Sequence, residues 1–219
     1  MARKKIIIVT AVWGSWHIDA FINANLPSLL APKNLPFLSS RHDLEYRIYT
    51  RPSDYDAIAG SKSFQLLQSI LDARIETSLP SGNRASVFDI HHEVWMRAYD
   101  RAVEERCYVL NMPPDAAFAD GAGATLARLM DQGKKSIMWM YSRAIAETIM
   151  PVMRERYTSP EGVMTIAPRE FVALNLRHLH SLAICSFAEC PYFVKHPEMM
   201  LWPVKGEGLL MRALNNVNA

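Results

Sequence analysis

The chain has 219 residues, 50% hydrophobic and 21% charged, with 24 basic and 22 acidic side chains and a formal net charge of +2. That length favours one core over two, the composition excludes disorder over most of the chain, and the charge balance gives no strong pull toward nucleic acid or anionic lipid. No window reaches the ~18 to 20 consecutive apolar residues of a membrane span. The apolar run from Ile6 to Val12, after Arg3, Lys4 and Lys5, is too short for a signal peptide. Cys107, Cys185 and Cys190, in a chain without an export signal, read as reduced thiols. The expectation is a cytoplasmic protein with no integral membrane segment, no nucleic-acid partner and an open oligomeric state.

In chain order, Lys5 to Thr10 is a β-branched run without alternation, as in a strand covered on both faces. Ile18, Phe21, Ile22, Leu26, Leu29 and Leu30 recur at helical spacing, and Pro27 should kink or divide that helix. Residues 31 to 42, with Pro32 and Pro36, read as loop. Leu44 to Thr50 is a second strand, Phe64 to Ala73 a helix, Arg74 to Leu79 a third strand and Pro80 to Asn83 a turn. Ser86 and Asp89 open a helix with a capping box, ending near Arg106. Cys107 to Met112 is a fourth strand, cut by Pro113 and Pro114. Asp120 suits the cap of a helix carrying Leu126, Leu129 and Met130, with Gly133 at its end. Ser136 to Tyr141 reads as a fifth strand. Ile145, Ile149 and Met153 mark a helix kinked near Pro151, and Pro168 starts another, running to about His180. Beyond it Cys190-Pro191, His196-Pro197 and Trp202-Pro203 break the pattern, leaving one strand near Met200.

Strands alternating with helices predict an α/β fold, a mostly parallel central sheet with helices on both faces and an irregular C-terminal appendage. We read 1–219 as one α/β domain, with 1–158 as the core and 159–219 as the appendage.

In such sheets ligands bind beyond the carboxyl ends of the strands. That rule nominates Thr10 to His17, Tyr49 to Asp54 and Asn111 to Gly123. Thr10, Arg51, Asp54, Asn111, Asp115 and Asp120 supply polar groups there. A helix starting near Ser15 aims N–H groups at an anion, and Arg51 adds a charge-assisted pair; alternatively, Ser15 caps, Thr10 ends a strand and Arg51 is solvated. Trp13 and Trp16 either stack on a base or sugar or pack over the sheet edge. Asp115 and Asp120 can hold a divalent cation such as Mn²⁺ or Mg²⁺ between diphosphate oxygens, with Asp115 the metal ligand, or one can take a proton from a hydroxyl. The alternative is structural: Asp115 starts a turn and Asp120 caps a helix.

Three-glycine dinucleotide and P-loop motifs are absent; Ala11-Val-Trp-Gly14 has one glycine, and no organic cofactor is predicted. His178, His180, Cys185, Cys190 and His196 lack the paired spacing of a zinc site. His91 and His92 are consecutive on a helix, so at most one faces inward.

The motif order Ile8–Gly14, Asn25–Pro32, Tyr46–Arg51, Pro114-Asp115 with Asp120-Gly121, Pro168–Glu170, Arg177–His180 and Gly206–Gly208 resembles bacterial glycosyltransferase-like proteins with a GT-A-type nucleotide-diphospho-sugar transferase fold. The resemblance implies a nucleotide-sugar donor and a hydroxyl acceptor. Thr10, Ala11, Trp13, Gly14 and Arg51 would bind the nucleotide, with Asp115 and Asp120 near the diphosphate and donor sugar. Glu170, Arg177 and His180 would face the acceptor. The family's Asp-x-Asp metal motif is missing here. The competing expectations are a catalytically inactive relative acting as a binding or assembly module, and a nucleotidyltransferase.

Overall fold

The computed structural model describes residues 3–79, 86–139, 141–192 and 199–213. The turn expected at Pro80–Asn83 and the break at His196-Pro197 lie outside the described residues.

Strand β1 (Lys5–Ala11) is buried along almost its whole length, as its unbroken β-branched run requires. It lies between β2 (Asp43–Tyr49) and β4 (Tyr108–Asn111), and β3 (Asp72–Glu76) extends β2 outward. All pairings are parallel and the order is β3-β2-β1-β4, with Ile8 opposite both Tyr46 and Leu110. The chain is therefore α/β with an all-parallel four-stranded sheet flanked by helices, compatible with a Rossmann-like fold. The strand order reverses between β1 and β4, where a crevice opens in sheets of this type.

One sheet face is covered by α1 (Ser15–Ala20), α2 (Leu26–Leu29), α3 (Leu35–Arg41), α5 (Lys62–Ile70) and α7 (Ala122–Asp131), which build the main core with Phe21, Leu26, Leu38, Phe64 and Leu126. The short α4 (Tyr55–Ala59) adds Ile58 to that core. The other face is packed by α6 (Val87–Glu105), whose Val94 and Ala98 meet Val9 and Ala11. A further cluster joins α8 (Ala146–Tyr157) and α9 (Pro168–Arg177) to Ala24, drawing on both sides of the 158/159 boundary.

The interruption expected at Pro27 is met by a local change of helix type, and four other local expectations are corrected. A π-helical turn at Phe21–Asn25 precedes Pro27, Leu26 N–H donates to Phe21 O, and the Ile22 carbonyl accepts from Ser63 Oγ at 2.8 Å. Residues 31–42 contain α3, because Pro36 sits in a first turn where its missing N–H costs nothing. The third strand begins earlier than expected, α5 ending at Ile70. Residues 136–139 form no strand: Trp139 packs edge-on against Phe118, at 5.3 Å between centroids, which leaves β4 at the sheet edge. The C-terminal part is not irregular throughout, since β5 (Met199–Val204) and β6 (Gly208–Ala213) form an antiparallel hairpin, after a short α10 (Ser181–Ile184).

The loop after β4 is held at both ends. Buried Asn25 donates through Nδ2 to Pro113 O (2.9 Å) and Ala116 O (2.6 Å), fixing the Pro-Pro-Asp turn. Asn34 accepts from Gly121 N–H and Gly123 N–H and donates to Ala119 O. A Cβ at Gly123 would lie 2.5 Å from the Asn34 carbonyl oxygen, so only glycine permits this approach.

Candidate functional site

The first turn and the Pro-Pro-Asp turn meet at the carboxyl edge of the sheet. Met112 N–H donates to Val9 O, and Thr10 Oγ1 donates to Met112 O at 2.9 Å. The floor between them is packed shut. Thr10 is fully buried and also bonded to the Tyr46 hydroxyl at 2.7 Å, while Ala11 and Val12 are buried beside it. Thr10 and Ala11 thus hold the two strands together and offer a ligand no side-chain group.

Above that floor stands a cluster with open polar and aromatic groups. Trp13 is half-buried, with its ring 5.2 Å from that of His91, and His91 lies 5.9 Å from Trp95. The Arg51 guanidinium sits 5.8 Å over Trp13 from an exposed position. Asp115 is exposed on its turn and His17 on the first turn of α1. Burial lowers the His91 pKa; the Asp115 charge pulls it up and His17 pushes it down. A neutral imidazole with a carboxylate near it can accept a proton and be stabilised once charged.

Asp54 takes the place where an anion was expected. Its Oδ2 accepts the Gly14 N–H at 3.0 Å, so the backbone turn before α1 already faces a carboxylate. Gly14 there has a φ of 82°, a conformation glycine adopts at little cost. Asn111 donates through Nδ2 to the Tyr99 hydroxyl, and its Oδ1 is buried without a hydrogen-bond partner.

The two candidate carboxylates part company. Asp120 Oδ1 accepts the Lys33 N–H at 2.8 Å, and α7 is capped by Gly121 instead. Asp120 therefore anchors its loop to the α2–α3 turn, and Asp115 alone faces the cluster. Among the described residues, no group of three or more His, Cys, Asp or Glu side chains is placed to hold a metal ion. The bond from Lys33 N–H to Asp120 leaves Asp115 as the one candidate carboxylate beside the cluster.

Glu170, Arg177 and His180 lie in the α8–α9 region. Glu170 accepts from the Tyr157 hydroxyl at 2.7 Å, Arg177 Nε donates to Ala173 O, and His180 Nδ1 accepts the Leu182 N–H to cap α10. None of these bonds reaches the strand-end turns. Two depressions of about 310 Å³ lie elsewhere, one between α3 and α7 lined by Phe37, Arg41 and Asp131, the other beside α7 lined by Leu129, Trp139 and Pro168. Cys107, Cys185 and Cys190 are free thiols. Among the described residues, no helix is long and apolar enough to cross a membrane.

Sequence reasoning named three loops and missed α6, which supplies His91, Trp95 and Tyr99. The signal was available: a helix that follows a parallel strand starts at the carboxyl edge, so its first turns face any ligand bound there. Of the adjacent histidines, His91 turns inward and His92 is exposed. Comparison with family models, curated proteins and solved structures gives no match to this chain.

Proposed function

We propose that the carboxyl edge of the sheet binds a nucleotide-diphosphate sugar and that the protein transfers its glycosyl group to a hydroxyl acceptor. The observation that carries this reading is the Trp13–His91–Trp95 cluster, flanked by Arg51 and Asp115 at the point of strand-order reversal. The indoles offer stacking faces for a base or sugar ring, and Arg51 offers a charge for a phosphate. The GT-A resemblance of the motif order supports the same donor class.

In this mechanism the acceptor hydroxyl gives its proton to neutral His91, and Asp115 stabilises the imidazolium. The acceptor oxygen bonds to the sugar carbon, the bond from that carbon to the diphosphate breaks, and a nucleoside diphosphate leaves. Asp54 competes with the donor's phosphates for Gly14 N–H, so donor binding displaces it. No step is assigned to a metal.

The tie between Asp120 and Lys33 favours a second reading, a binding module without transferase activity, because it removes one of two expected carboxylates. Calorimetric titration with UDP, GDP and CDP, with and without Mn²⁺, tests binding, and release of nucleoside diphosphate from the sugar nucleotide tests transfer. Binding with release supports the transferase. Binding without release leaves the module, and absence of heat with every nucleotide removes both. A nucleotidyltransferase would instead release pyrophosphate from a nucleoside triphosphate.

A further inference from the structure

Helix α6 carries three distinct strips. Val94, Ala98 and Ala102 are buried toward the sheet. The ion pairs Glu93–Arg97 and Arg101–Glu105 occupy one shoulder. At about 100° per residue, Phe88, His92, Trp95, Met96, Tyr99 and Val103 fall in a stripe about 100° wide on the other shoulder. Phe88 is 84% exposed and Val103 78%, with Trp95, Met96 and Tyr99 between 37% and 41%. A surface helix normally fills such a shoulder with charge, whereas this stripe contains none beyond what His92 can acquire.

The surroundings are bare as well. Among the described residues α6 is the one helix on this sheet face, with Trp13 and Leu79 packed beside it, and β4, an edge strand, turns half-exposed Val109 toward it. Scaling each exposed fraction by the full area of its residue, the five apolar residues present on the order of 600 Å². That exceeds a scatter of single exposed side chains and approaches the ~800 Å² that each partner contributes to a standard interface.

The stripe is also complementary to itself. Set antiparallel to a copy with Trp95 opposite Met96, the helix places Phe88 opposite Val103 and His92 opposite Tyr99. Every pair repeats across the same two-fold axis, the condition for an isologous interface. We propose that this face of α6 joins two copies of the chain in a homodimer, with the axis passing between Trp95 and Met96. Because Trp95 also lies against His91, the second copy forms the outer wall of the strand-end cluster.

Sedimentation equilibrium of the full chain at tens of micromolar tests this independently of any ligand. The expected result is a species of twice the chain mass, converted to monomer by Phe88→Glu and by Val103→Glu. Both side chains are almost free of contacts, so far-UV spectra should remain unchanged; if one variant unfolds, the other supplies the reading. A monomeric wild type, or a dimer that survives the folded variants, overturns the proposal.

Discussion

The two ends of the parallel sheet use charge in opposite ways. At the amino edge Glu45, itself buried, is held by Lys5, Arg47 and Arg101, and Glu105 and Asp72 extend the network. Burial raises the Glu45 pKa, yet the bonds and charges of Arg101, Arg47 and Lys5 outweigh it and hold the carboxyl below its usual range. At the carboxyl edge Asp115, His17 and Arg51 are exposed, and none of them forms an ion pair among the described residues. Charges that answer one another serve the fold. Charges left open beside clustered aromatic rings are available to a ligand.

Three substitutions sharpen that contrast. Arg101→Met removes the two-pronged contact to Glu45, including the 2.8 Å bond through Nη2, and leaves a buried carboxylate short of a partner. Chemical denaturation should register a loss of about 2 kcal/mol. His42, before β2, is 3% exposed with both ring nitrogens unpartnered. Burial lowers its pKa, partly opposed by Asp131 and reinforced by Lys4, Arg41 and Arg3. The unfolded chain therefore binds a proton that the fold refuses. Stability should fall as pH drops below about 6.5, the ordinary histidine value, and level off below the lowered folded pKa. His42→Leu should add about 1 kcal/mol at neutral pH and flatten part of that slope, which denaturation across pH 5 to 8 would record. His91, whose pKa burial also lowers, contributes to the slope that remains. Asp115→Asn at the open edge should change stability by less than about 0.5 kcal/mol while slowing the proposed glycosyl transfer at least about tenfold. A cost comparable with that of Arg101→Met would mean that the carboxyl edge, too, is structural.

The reach of the sequence varies with the range of the forces involved. β1 is legible because its run of isoleucines and valine can only suit a doubly covered strand, and the capping box is legible because Ser86 and Asp89 are three residues apart. The Ser136–Tyr141 stretch misleads because its strand-like composition is used for packing, with Trp139 on Phe118 and Ile137 on the main core. Asp120 misleads by one position: Gly121 takes the cap, and the carboxylate answers Lys33, 87 residues away. The site was half legible. Strand order explains why Trp13, Arg51 and Asp115 share an edge, but only the packed α6 brings His91 and Trp95 between them. Burial of Thr10 follows from its place on a central strand, which polarity alone does not disclose.

Uptake of ligands at the carboxyl edge, around Trp13 and His91, is open to one direct measurement. Imidazole C–H resonances, followed by NMR while a nucleoside diphosphate is added, report on that edge and on distant histidines together. Movement of the His91 and His17 signals, with those of His42 and His178 unchanged, is the predicted result. Unmoved His91 and His17 signals at saturating nucleotide, or movement confined to the distant histidines, would contradict it.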